Sequence, residues 1–104
     1  MRLVAMLVAF AGVNGAIAVA IGAAAAHVAE PNWGPRAGAL LRTGSDYQMW
    51  HALALLGVAA WLPRAGGWAR RLAAIAGAGF ALGICGFSLS LYWAALGGRA
   101  ALAP

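Results

Sequence analysis

The chain has no lysine, only two carboxylates and a single cysteine in 104 residues. Charged side chains make up 9% of it, against about 25% in an ordinary soluble domain, so too few are present to cover a surface facing water. Cys85 has no partner in the chain, which removes any internal disulfide; it reads as a small apolar filler. Glu30 and Asp46 are the two acids, so paired carboxylates for acid–base catalysis at depth are missing. There is no glycine-rich phosphate loop and no CxxC, and neither Ser88 nor Ser90 sits in a G-x-S-x-G elbow. On these absences the chain reads as no enzyme, with no cofactor and no metal of its own.

Long charge-free runs take the place of what is missing. Residues 3–29 and 72–98 contain no Arg, Lys, Asp or Glu, and a shorter run covers 47–63. A bilayer core about 30 Å thick is spanned by roughly 20 apolar residues rising 1.5 Å each, and these runs fit it. Backbone groups in hydrocarbon must pair internally, and three strands would leave open edges, so the runs are helices. The fold expected is all-α: a single polytopic domain over 1–104, with transmembrane helices at about 3–28, 46–62 and 72–96. Pro31 would end the first helix, and Ser45 or Asp46 would cap the second. Pro63 would end the second, with a tight loop over 63–71, and Gly97 and Gly98 would end the third. Between the first two, residues 36–42 have the spacing of a short helix lying in the interface. The first run is too long for the apolar core of a signal peptide, so it reads as a retained helix.

The net charge of +5 comes from seven Arg scattered at the helix ends rather than gathered on one face. That pattern excludes nucleic acid as a partner and points to lipid headgroups. Arg2, Arg64, Arg70 and Arg71 fall on one side of the threading, and Arg36, Arg42 and Arg99 on the other with both acids. The excess of positive charge places the amino terminus in the cytoplasm. Trp61 and Trp68 mark one interface, and Trp33, Tyr47, Trp50, Tyr92 and Trp93 the other.

Two stripes of small residues follow helical spacing. One holds Gly12, Gly15, Val19, Gly22 and Ala26; the other holds Ala76, Gly79, Gly83, Gly86, Ser90 and Gly97. Helices in lipid associate through close backbone approach, which small residues permit. The stripes serve either packing within one chain or contact with a second copy or another membrane protein. Asn14 flanks the first stripe and reads as interhelical glue. On the second helix Tyr47, Gln48, His51, Leu55, Val58 and Leu62 share a face that should point into the bundle, because polar groups at membrane depth face protein or water. His27 and His51 fall on the same side of the threading, near Glu30 and Asp46. With Tyr47 and Gln48 they form a candidate polar cluster. Its first reading is structural hydrogen bonding, its second a proton or solute path, and its third a divalent metal site of the two His and two carboxylates, although the spacing matches no metal motif.

The run Tyr47-Gln48-Met49-Trp50-His51-Ala52-Leu53-Ala54-Leu55 resembles the Y-Q-x-x-H-A-L-A-L signature of a family of small bacterial inner-membrane proteins, domain of unknown function 423, to which transmembrane protein 256 of animals is similar. Gly22 to His27 is similar to the family's G-A-F-G-A-H, departing at Ala24 and Ala25, and Phe87 to Tyr92 is similar to F-S-G-S-L-Y, departing at Leu89. The resemblance covers essentially the whole chain. It implies a polytopic inner-membrane protein with no assigned catalytic residue, and places His27, Tyr47, Gln48 and His51 in the shared pattern. It also implies a fourth helix, for which this sequence has no counterpart. The function expected is that of a structural or accessory membrane protein; the alternative is a transport element using the Tyr47, Gln48 and His51 face.

Overall fold

A computed structural model describes the backbone of residues 2–101 and the side chains of residues 2–97. Arg99 and Pro104, on which parts of the sequence reading rest, lie outside the described side chains. All described elements are helical. Helix α1 is Arg2–Trp33. Helix α2 is Pro35–Trp61, followed by a 3-10 turn at Leu62–Arg64. Helix α3 joins Gly67–Gly83, a π turn at Ile84–Ser88 and Leu89–Ala101. The three run up, down and up in a rod of 57 × 20 × 17 Å.

Several boundaries differ from those the sequence suggests. Pro31 does not stop α1, because a π turn at Ala25–Ala29 precedes it. There the Glu30 N–H donates to the Ala25 carbonyl, five residues back. The wider turn makes room for a ring that would otherwise press on the carbonyl four residues behind it. The chain reverses at Gly34, whose φ of 102° is open to glycine and strained for other residues. Pro35 then starts α2, its fixed φ already helical and its missing N–H not needed there.

Residues 36–42 are therefore not a separate interfacial helix, and α2 does not begin at 46. Ser45 caps nothing; its hydroxyl donates to the Arg42 carbonyl within the helix. The stretch stays helical because Ala37, Gly38, Leu41, Gly44 and Ser45 form a buried stripe packed on its neighbours. Consequently Tyr47 and Trp50 lie inside a helix rather than at its end. At the other connection, α3 starts at Gly67, so Trp68, Arg70 and Arg71 are helical and the loop shrinks to residues 62–66. The backbone of α3 also continues through Gly97 and Gly98 to Ala101.

Side chains are distributed inside out relative to a water-soluble protein. Among the described residues, nine of the thirteen buried hydrophobics are alanine. Met6, Val13, Leu72, Ile75, Leu82 and Trp93 are each more than half exposed. Two segments, Arg2–Trp33 and Gly67–Gly97, are long and apolar enough to cross a membrane. Only 17% and 22% of their apolar windows are buried in the chain, whereas the core helix of a soluble fold is mostly buried. Of the three expected spans, then, two meet the criterion. Helix α2 does not: its last turns are apolar, but the stretch before them holds Gln48 and His51 as well as Asp46 and the two Arg.

The core is layered. Near the 62–66 loop, Ala11, Leu55 and Ile84 pack with Leu7 and Phe80. Near the Gly34 reversal, Ala25, Ala29, Leu41 and Ala95 pack with Ile21, Leu40 and Tyr92. Between these two apolar layers lies a polar one.

Candidate functional site

The polar layer takes one side chain from each helix. The Tyr92 hydroxyl of α3 donates to Gln48 Oε1 of α2 at 2.6 Å. Gln48 Nε2 donates to Asn14 Oδ1 of α1 at 2.8 Å. Asn14 Nδ2 donates to the Phe10 carbonyl one turn back, at 2.9 Å. Gln48 is 3% exposed and Asn14 8%. Ser88 adds a second tie, its buried hydroxyl donating to the Gly44 carbonyl of α2 at 2.9 Å. Among the described residues no buried side-chain nitrogen or oxygen lacks a partner. All four side chains are neutral hydrogen-bonding groups, and two of them are amides, which hold geometry well and carry protons poorly.

Local sequence explains the positions. Gln48 belongs to a stripe of Leu41, Ser45, Gln48, Ala52, Leu55, Ala59 and Leu62, which recurs every three or four residues and puts one face of α2 against both neighbours. Gly44 lets the Tyr92 ring lie on α2; a Cβ there would run into the ring's edge carbons. The π turn at Ile84–Ser88, in which the Leu89 N–H reaches the Ile84 carbonyl, immediately precedes the segment that carries Tyr92.

Of the candidate cluster, only Gln48 joins this layer. Tyr47 and His51 sit beside it on the flank of α2 facing α3, with Tyr47 38% exposed. The Tyr47 ring meets Phe87 edge-on at 4.8 Å and Trp50 at 4.9 Å between centroids. His51 Nδ1 lies 2.6 Å from the Tyr47 carbonyl, which accepts a hydrogen bond from it, and the His51 ring meets Phe80 at 6.0 Å. The far edge of that ring abuts Gly83, where an added Cβ would stand 2.8 Å from Nε2. His27 is elsewhere. It is exposed in the first π turn, thirteen residues beyond Asn14 and so about 20 Å further along α1. Glu30 pairs with Arg42 at 2.8 Å instead of with a histidine. No three His, Cys, Asp or Glu side chains gather among the described residues.

The small stripes divide as well. Gly22 faces Ser45, and Gly15 lies at the edge of Met49. Gly12, Gly79, Gly86, Ser90 and Gly97 face outward, and the Ser90 hydroxyl turns back to its own Phe87 carbonyl. Internal packing relies instead on Ala11, Asn14, Ala18, Ala25 and Ala29 of α1. The expectations missed Tyr92, assigned to an interface belt. An antiparallel threading that sets Asn14 level with Gln48 is the signal that reveals the layer's height.

Comparison with known proteins assigns the chain a family. A family model described as "Protein of unknown function (DUF423)" matches residues 21–104. The chain belongs to this family. Among curated relatives, the UPF0382 inner membrane protein YgdD of Escherichia coli strain K12 is 42% identical over 55 residues, which is 53% of this chain and 42% of that protein. The same protein of Shigella flexneri matches to the same extent. The match thus spans less than half the length of these relatives. No solved structure matches the chain.

Proposed function

We propose that the chain is a helical unit of the bacterial inner membrane with a structural or accessory role, exerted through contacts between helices. The observation that carries this reading is the Tyr92–Gln48–Asn14 layer, in which the polar groups at depth are consumed by one another. Such a layer fixes the rotation and height of three helices and leaves no reactive group facing a substrate. The outward Gly12, Gly79, Gly86 and Gly97 support contact with a second copy or another membrane protein. Crosslinking in native membranes tests it: adducts with a second copy or a partner are expected, and a protein that is always monomeric and unpartnered overturns it.

Within this proposal all three helices cross the bilayer, α2 lowering its polar first half along α1. The amino terminus and the 62–66 loop face the cytoplasm, as the distribution of Arg favours. A fourth helix, implied by the family resemblance, is tested by reading the genomic frame downstream. The transport alternative places a proton or solute path along Tyr47, Gln48 and His51. It has less support, because Gln48 is bonded on both sides and His51 is packed against Gly83 and Phe80. Flux into liposomes that disappears on His51→Ala would favour it over the structural role.

A further inference from the structure

The 62–66 end of the molecule has two neighbouring concavities that the polar layer does not use. One is a groove of about 600 Å³ between α2 and α3. Its floor is Ala54, Gly57, Ala73 and Ala76, and its walls include Trp61 and Phe80. It exists because the floor residues are small; a Cβ on Gly57 would meet nothing within 4 Å. The groove follows about 11 Å of helix and its lining is apolar. Left empty in a bilayer, it would forfeit dispersion contacts along its length.

The second concavity, about 270 Å³, lies at the start of α3 and is lined by Gly67, Trp68 and Arg71. Trp68 lines this one and Leu72, one turn on along the same face, lines the groove, so the two adjoin. The Arg71 guanidinium stands over the Trp68 ring at 5.8 Å. Arg64 and Arg70 complete three Arg in eight residues, and no acid follows Asp46 in the chain. The first N–H groups of α3, which have no acceptor within the helix, add positive character at the same place. Trp61 and Trp68, 51% and 77% exposed, stand at the rim where indoles meet headgroups.

We propose that this end holds one anionic phospholipid, its acyl chain in the α2–α3 groove and its phosphate at Arg64, Arg71 and the start of α3. A partner helix could fill the groove but would need its own acid at the right height. An anionic lipid brings both chemistries in one molecule. The inference rests on the chain lying in a membrane, as proposed above.

The test is native mass spectrometry of the full chain released from vesicles of equal phosphatidylglycerol and phosphatidylcholine. One retained lipid is expected, with phosphatidylglycerol preferred. Arg64→Gln should weaken that preference roughly fivefold, the equivalent of about 1 kcal/mol per basic side chain at an anionic surface. Gly57→Leu should fill the groove and lose the lipid whatever its headgroup; Ala76→Leu, also outward-facing, should do the same if the first variant loses its helical circular dichroism. Equal retention of the two lipids by the unmodified chain overturns the proposal. So does full retention in both groove variants, which would mean adsorption by charge alone. A chain that never partitions into vesicles defeats the membrane reading itself, whereas a vesicle-bound chain without lipid preference defeats only this site.

Discussion

Around Gln48 the three helices meet through a chain of hydrogen bonds, and a glycine at 44 is needed to seat the Tyr92 ring. Two to three turns further along α2, around Val58, the same helices meet through alkyl groups, and a Cβ added to the buried Gly77 would stand at ordinary contact distance from Val58 and Leu7. In the first region rotation matters: turning any helix breaks a named bond. In the second, contacts are weakly directional, and the gap between α2 and α3 opens into a groove. Hydrocarbon gives no net reward for burying leucine against leucine, so directional ties carry specificity where they occur. Where they stop, the bundle is looser and has room for a guest.

The contrast can be broken most sharply at its two buried glycines. Gly44→Ala should force the Tyr92 ring off α2 and part it from Gln48, costing about 2–3 kcal/mol as overpacking with a lost bond. Unfolding by SDS in mixed micelles, followed by circular dichroism, measures it. Gln48→Leu comes next, at about 1–2 kcal/mol in the same assay, because the Tyr92 hydroxyl and Asn14 Oδ1 both lose a partner. A double-mutant cycle with Tyr92→Phe sharpens this, with a coupling of about 1 kcal/mol expected for bonded side chains. Arg42→Gln should cost well under 1 kcal/mol, since its pair with Glu30 is about half exposed and screened. Gly77→Ala should be smallest, within about 0.5 kcal/mol, its methyl finding room between Val58 and Leu7. If Gly77→Ala proved as damaging as Gly44→Ala, the two regions would not differ in the way described.

How much of this was legible in the sequence depended on the kind of signal. The absence of charge over 3–29 and 72–98 was enough to find α1 and α3, because it reports directly on the surrounding medium. Helix ends are less legible. Pro31 is a breaker by local rules, yet the π turn at Ala25–Ala29 absorbs it, and Pro35 proved to be a helix start. Asp46, a good cap on paper, sits in mid-helix because the stripe from Ala37 to Ser45 packs on its neighbours. The polar layer was half visible. Gln48 lies on the expected inward face, and Asn14 reads as glue from its place beside the small stripe. Tyr92 depended on knowing how high α3 stands beside α2, and that height is set by tertiary contacts.

The connection between α1 and α2 is the single residue Gly34, and a tether that short has no slack. Each residue added there would let α2 slip by up to about 3.5 Å against α1. A slip of two or three would carry Gln48 out of reach of Asn14. The first two helices thus behave as one stiff hairpin that measures its own alignment from the bend, and the third is the member left to be positioned against it.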